Sequence, residues 1–577
     1  MSPNKPASEM REAVSSLRPY FVRAAWFSVI ASVLVLAPSG YMLEVYGRVV
    51  NSRNHMTLIM LTVAVLGAYV LMEMLEWARS EVMREASVAL DEKMTARLFG
   101  AIFDANLRRI PGGTQQPMND FRTVRDFLYS PACLAVMEAP VALVMMVLLF
   151  LISPVLGWSA VVFGVLQALV AWLNERSTKP PLMAANRSAI AAQQYADGTL
   201  RNAEVIESMG MLRAIQQRWQ QRQNAALALQ GEASDRATDV AALTRFVRMA
   251  AQSGVLGLGA LLVIEHQMTP GGMIAASILL GRALAPVDAV IGHWRSLVQA
   301  RGAYSRLDEL LRAHPEPEPR TALPRPQGFV TVENLVAGPP GARAPVLKGI
   351  KFGATAGMLV AIIGPSASGK STLARALVGV WPPLSGTVRL DGADVAQWSK
   401  DELGPWLGYL PQDVELFEGT VAENIARFGP PDATRTVAAA QRAGVHDMIL
   451  RLPQGYETPI GEGGMALSGG QRQRIGLARA MYGDPALVVL DEPNANLDEA
   501  GDAALVGALR VMKEEKRTVF VVTHRMNLLA EADAILVLTN GTIQAYGPRD
   551  AVLDTLRLPR KPAATNHEAQ LPREAQA

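Results

Sequence analysis

The stretch Gly364-Pro365-Ser366-Ala367-Ser368-Gly369-Lys370-Ser371-Thr372 decides how the second half of this chain is read. It follows an apolar run, Met358 to Ile363, and precedes a helical one, so a strand enters a glycine-rich turn and leaves it as a helix. That order of elements is what a phosphate-binding P-loop requires. Glycines let backbone N–H groups close round phosphate oxygens at a helix N-terminus, Lys370 adds a point charge toward the β- and γ-phosphates, and Ser371 offers an oxygen to Mg²⁺. An ordinary glycine turn is the alternative, but it has no need of so many fixed positions.

A second apolar run, Ala486 to Leu490, ends in Asp491-Glu492. Alone, a strand ending in two acids is common. Beside a P-loop it places one carboxylate, Asp491, in the Mg²⁺ shell and the other, Glu492, where it would polarise an attacking water. Further strand-like runs at Thr518 to Thr523 and Ala534 to Leu538 alternate with helical stretches, as in a parallel α/β sheet.

At Leu467-Ser468-Gly469-Gly470-Gln471-Arg472-Gln473-Arg474, Ser468 and the glycines read physically as a capped helix start that exposes amides and a positive helix end. The octet also resembles the signature of ATP-binding-cassette (ABC) proteins. The resemblance implies that Ser468, Gly469, Gly470 and Gln471 contact the γ-phosphate of an ATP held by another subunit. One P-loop and one signature per chain then imply a homodimer with two ATP molecules sandwiched head to tail. Three more positions carry over. Gln412, in Leu410-Pro411-Gln412-Asp413, resembles the glutamine that senses Mg²⁺ and the membrane domain; Asp498, in Asn496-Leu497-Asp498, resembles the D-loop acid; His524 resembles the γ-phosphate switch histidine. Taken singly, a Gln or His here would more often be a surface or structural residue, but the order and spacing of these positions reverse that. Ile460-Gly461-Glu462-Gly463-Gly464 resembles the exporter-type segment that touches the inner loops of a membrane domain. Leu335 to Gly341 lacks the aromatic residue on which many cassettes stack adenine, which leaves Pro339 or Pro340 for that contact.

The first half has a different character. Half of the 577 residues are apolar and 19% are charged, against about a quarter in a typical soluble domain. Six apolar runs, about 24–46, 56–75, 133–152, 155–173, 246–264 and 272–291, approach the roughly 20 residues that cross a bilayer, and the fifth is short and weak. Buried helices of a soluble protein are the alternative for any one run, though not for so many in succession. Segments 77–130 and 175–245 carry Arg79, Arg84, Lys93, Arg97, Arg201, Arg213 and Arg218, whereas Ser153-Pro154 and Gln267 to Gly271 carry neither Lys nor Arg. The long loops therefore face the cytoplasm, although Arg48 and Arg53 in the first outer loop weaken the asymmetry. The first run is too long for a signal h-region, so no cleavable signal peptide is expected. Glu73, Glu138, Arg282 and Asp288 fall within spans and read either as a polar translocation path or as interhelical pairs and snorkelling ends. The net charge of +2 disfavours nucleic acid as a partner. The lone Cys133 gives no disulfide and reads as a small apolar packing residue.

The expected fold is a multidomain chain: an all-α six-helix transmembrane domain with long cytoplasmic helical extensions, of ABC exporter type, followed by an α/β P-loop ATP-binding-cassette domain. The expected division is a cytoplasmic segment 1–20, a transmembrane domain 21–313, a proline-rich linker 314–327, a cassette 328–556 and a disordered tail 557–577. Stretches beginning at Tyr41, Ser52, Met74 and Val205 resemble the inner-membrane ATPase of type I secretion systems, the branch that exports proteases and lipases, with Gly47 where that branch would have an acid. The resemblance implies export of an unfolded secreted protein across the bacterial inner membrane, with ATP and Mg²⁺ as cofactors. It also implies a second copy of the chain, a periplasmic adaptor (membrane fusion protein), an outer-membrane channel protein and the lipid bilayer as partners. Only about twenty residues precede the first span, which disfavours leader-cleaving peptide export. A lipid or small-molecule exporter would share every motor motif, and a nucleotide-gated regulator is disfavoured by the intact Glu492 and His524.

Overall fold

The computed structural model describes residues 8–108, 116–200, 202–316, 322–342, 344–461, 464 and 467–557. They form two compact units, one drawn almost wholly from residues up to Glu316 and the other from Pro317 onward.

The first unit is helical. Among the described residues it has six helices long and apolar enough to cross a membrane: Arg18–Ser52, His55–Leu107, Gln116–Ile152, Pro154–Leu200, Leu212–Ile264 and Pro270–Gly292. The apolar runs are windows inside these longer helices. At 1.5 Å per residue, the 53 residues of Leu212–Ile264 extend about 80 Å, far beyond the ~30 Å of a hydrocarbon core. The weak fifth run is therefore the end of a continuous rod. Its polar part sustains helix through length and through packing on Pro154–Leu200.

The first span is less regular than its sequence suggests. Arg18–Leu34 ends before Val35-Leu36, Pro38 starts Ala37–Glu44, and a π-helical turn, Val45–Val49, follows. Proline lacks the N–H that would continue the ladder, so it is placed in a first helical turn where none is needed. Arg48 lies within this π turn and pairs with Glu44 at 3.5 Å rather than sitting in a loop. The outer turn is made by Arg53 in the left-handed region (φ 53°) and by Asn54, whose Oδ1 accepts from the N–H groups of Met56 and Thr57.

Two of the four span charges are satisfied within the unit. Glu138 accepts from buried Arg79 at 2.5 Å, and Arg79 also reaches Ser28. Asp288 accepts from the Gln167 amide and lies 3.6 Å from Arg248. Interhelical pairing is thus the structural answer for Glu138 and Asp288. Cys133 packs, partly buried, beside the apolar cluster that includes Phe121 and Val124.

The segment before the first span contains a short helix, Glu9–Ser16, capped by Ser8. Met10, Ala13 and Leu17 are buried on one face of it, against a cluster that includes Leu307, Leu310 and Leu311 of Trp294–Ala313. This i, i+3, i+7 spacing was available in the sequence. His314, assigned to the linker from its prolines, is instead buried at the end of Trp294–Ala313. Its ring pairs with Asp104, and its carbonyl accepts from Arg97, which also holds Glu9. Residues 317–321 of the linker lie outside the described residues, as does the tail from 558 onward.

The second unit is α/β. A six-stranded sheet has the order Thr542–Pro548, Ala534–Thr539, Leu359–Ile363, Thr518–Val522, Leu487–Asp491, Leu407–Leu410, and only the first pair is antiparallel. Its central strands are buried on both faces, which is why they read as unbroken apolar runs. A four-stranded antiparallel sheet contains Val330–Ala337 and Leu347–Ala354.

Candidate nucleotide site

Parallel register sets the site. Val522 pairs with Ile362 on one side and Asp491 on the other, so the P-loop and the two acids leave the same sheet edge one strand apart. The turn itself needs glycine at two places. A Cβ on Gly364 (φ +152°) would lie 2.1 Å from the Leu538 carbonyl, and one on Gly369 (φ +101°) 2.7 Å from Leu347 Cδ2. The second close approach brings the Leu347 strand against the loop. Pro365, Ser366 and Ala367 form its exposed lip, while Ser368, Gly369, Lys370 and Thr372 are buried. Ala367 sits at φ +61°.

Lys370 begins the helix Lys370–Leu377, and its ammonium donates to the carbonyls of Gly364 (2.9 Å) and Pro365 (3.0 Å). Burial pulls its pKa down, against the carboxylates of Glu492 and Asp491. Ser371 Oγ donates to Asp491 Oδ1 at 3.2 Å. Burial pushes the Asp491 carboxyl up, with the Ser371 hydrogen bond and Arg375 acting against that. Its second oxygen, Oδ2, is buried with no protein partner. A buried carboxylate with a free oxygen beside a hydroxyl is a hard oxygen donor set, which fits Mg²⁺.

Glu492, one residue past its strand, has φ +50° and is held by its own N–H donating to Val522 O at 3.1 Å. A left-handed glutamate costs of order 1–3 kcal/mol, and such strain is concentrated at working sites. Its Oε2 accepts from Gln412 Nε2 at 3.2 Å. Gln412 follows the strand Leu407–Leu410, and buried Asn424 ties down the loop beyond it through three hydrogen bonds to Phe417 and Thr420. His524 stands exposed just past Thr518–Val522. Pro339 and Pro340 lie half-buried in the turn after Val330–Ala337.

The signature turn is built separately. Ser468 caps Gly469–Ala480 in a reciprocal box: Gln471 N–H donates to Ser468 Oγ, and Ser468 N–H to Gln471 Oε1 at 2.8 Å. A Cβ on Gly470 would come within 2.8 Å of Asn496 O. Asp498 caps the next helix, Glu499–Glu514, by accepting from Gly501 N–H, and also pairs with Arg474 at 3.3 Å. Buried Gln473 donates to Pro493 O. Among the described residues, no hydrogen bond or ion pair joins Ser468–Gln471 to residues 364–372. The structure thus brings Gln412, Lys370, Ser371, Asp491 and Glu492 together, and groups the signature with Asp498 instead. Asn424 was missed from the sequence, and so were the contacts of Gln473 and Asn496 within the quoted motifs, because their partners are remote or are backbone atoms. Glu462 and Gly463 lie outside the described residues.

Residues 347–495 match the ABC transporter family, and residues 23–285 match the ABC transporter transmembrane region. The type I secretion system ATP-binding protein PrsD of Rhizobium meliloti (strain 1021) is 44% identical over 559 residues, which span 96% of this chain and 95% of that protein. The chain belongs to the ABC transporters. As in other ABC transporters, a transmembrane region is joined to an ATPase domain, and ATP hydrolysis is coupled to transport. The leukotoxin export ATP-binding protein LtxB of Aggregatibacter actinomycetemcomitans is 28% identical over 559 residues, 94% of this chain and 77% of that one. A bacterial Atm1-family ABC exporter solved with ATP bound superposes with a TM-score of 0.82 at 23% identity, covering 94% of this chain and 97% of the other. That likeness establishes the fold.

Proposed function

We propose that this ABC transporter is the inner-membrane motor of a type I secretion system, a homodimer that drives an unfolded polypeptide out of the bacterial cytoplasm. The likeness to PrsD over nearly the whole chain supports this reading, and the export of leukotoxin named for LtxB agrees with a protein cargo. A periplasmic adaptor and an outer-membrane channel complete the route, and the ATPase domain stays in the cytoplasm. The chain divides functionally into an N-terminal segment 1–20, a transmembrane domain 21–313 against whose last helix His314 packs, a linker over the prolines that follow to 327, a cassette 328–556 and a tail 557–577.

Within the cassette, the amides of residues 364–369 and the Lys370 ammonium receive the phosphates, and Ser371, Asp491 and Gln412 hold Mg²⁺. When bound, that cation neutralises charge on the β- and γ-phosphates. Glu492 orients the attacking water and takes its proton, and His524 contacts the γ-phosphate. The partner's copy of the Ser468–Gln471 helix end caps that phosphate from the other side, and Asp498 lies where the two protomers cross. The carrying observation is the separation of the two half-sites within one chain: among the described residues, a Ser371–Asp491, Gln412–Glu492 edge has no hydrogen bond or ion pair to the signature. Closure of two cassettes on ATP and their release on hydrolysis shifts the population between inward- and outward-open spans.

Disrupting the gene in its host and comparing cells with culture medium tests the cargo class. At least one secreted polypeptide is expected to disappear from the medium and to return with the wild-type gene but not with Glu492→Gln. An unchanged secreted proteome together with altered envelope lipids would favour a lipid exporter instead.

A further inference from the structure

Of the charges within the spans, Arg282 is placed differently from the others that are paired. It lies on Pro270–Gly292, twelve residues from one end and ten from the other, hence at the middle of a helix about as long as a hydrocarbon core is thick. Its side chain is exposed and has no hydrogen-bond or ion-pair partner among the described residues. Asp288, the other charge on this helix, is already engaged by Gln167 and Arg248. It also stands about 120° round the helix from Arg282, at 100° per residue.

The exposed face that carries Arg282 does not have the composition of a lipid face. Val63, Leu66 and Val70 of the second span and Val144 and Val147 of the third are exposed, as expected against acyl chains. No large apolar side chain of Pro270–Gly292 is among the exposed ones. Half (50%) of its most apolar window is buried inside the unit, against 11% for His55–Leu107. A guanidinium left in hydrocarbon without a counter-charge is strongly disfavoured, so this face meets water or polar groups instead.

We propose that Arg282 lines the translocation path and reads the cargo there, taking carboxylates of acidic polypeptide segments in transit. The proposal rests on the protein-export reading and deepens it by assigning a charge preference. Arginine suits this role because its planar fork holds a carboxylate through two parallel hydrogen bonds, stays charged at every physiological pH, and sheds water more readily than lysine. It is the sole cation on this helix, so the preference is for acidic rather than basic segments.

The test uses the full-length dimer in lipid nanodiscs, with Cys133→Ser as background so that Arg282→Cys supplies the one thiol. A charged, membrane-impermeant thiosulfonate is expected to label position 282. ATPase stimulation is then measured with a peptide rich in aspartate and glutamate and with its asparagine and glutamine counterpart. Arg282→Gln is expected to raise the half-stimulating concentration of the acidic peptide about tenfold, the size of one lost charge-assisted hydrogen bond, and to leave the amide peptide unaffected. Arg282→Lys is expected to keep most of the preference. An unlabelled position 282, or a Gln variant that treats both peptides as the wild type does, would overturn the assignment while the export reading stands. A wild-type dimer that responds to neither peptide, and moves neither across a vesicle membrane with ATP, would overturn both.

Discussion

At the P-loop edge the chain's functional groups hold one another: Ser371 donates to Asp491 and Gln412 to Glu492, each at 3.2 Å. At the signature turn, Ser468 and Gln471 satisfy each other, and their remaining neighbours are Asn496 and the Arg474–Asp498 pair. On the proposed reading, the first half-site is the binder of phosphate and cation. The second is a finished helix end that, among the described residues, makes no hydrogen bond or ion pair to residues 364–372. On that same reading the difference separates binding from turnover: nucleotide affinity would reside mainly in one protomer, while turnover would require both.

The largest effect expected from that contrast is at Glu492. Glu492→Gln keeps the shape and the contact with Gln412 but removes the base, so steady-state hydrolysis should fall by about 10²–10⁴-fold with ATP binding preserved and the dimer held closed. Isothermal titration and size-exclusion chromatography with ATP would check both halves of the statement, and wild-type turnover would remove Glu492 from its role.

Gly470→Ala probes the other half-site. The added methyl would crowd Asn496 O at 2.8 Å, and such overpacking typically costs about 1–3 kcal/mol. Cooperative hydrolysis should drop roughly tenfold while single-site nucleotide affinity stays level. An equal loss of both would show that the two regions are not separable.

A smaller effect belongs to Glu531, which follows the His524 loop and pairs with Arg510 of the helix capped by Asp498. The Arg510 hydrogen bond holds its carboxyl below the ordinary 4.5. A depressed acid stabilises the fold above its unfolded pKa and loses that contribution as pH falls through the folded one. The pair is solvent-screened, so cassette stability should decline by only a few tenths of a kcal/mol across that acid window, and Glu531→Gln should flatten the decline. Thermal melts at stepped pH would read it.

The two regions also differ in how much of them the sequence discloses. The P-loop, Asp491 and Glu492 were legible because strand, turn and helix follow one another locally and each position has one chemical job. The six spans were legible because length and hydropathy are composition. What stayed hidden depends on contacts between remote segments: Leu347 against Gly369, Asn496 under Gly470, Asn424 bracing the loop after Gln412, and Arg79 meeting Glu138 across two helices. His314 was masked by the prolines that follow it, although its burial against Asp104 belongs to the helical unit. The helix Glu9–Ser16 carried a readable apolar spacing that the short polar segment around it obscured.

The shared site is tested most directly by mixed dimers purified through two tags, with Lys370→Ala and Ser468→Arg distributed in two ways. With one substitution on each copy, a site formed between protomers pairs both defects in one half and leaves the other intact, so substantial ATP hydrolysis is expected. With both substitutions on one copy beside a wild-type partner, each shared site receives one defect, and hydrolysis should fall to background. The reverse pattern, activity in the second dimer and none in the first, would mean that each chain completes its own pocket and would contradict the account.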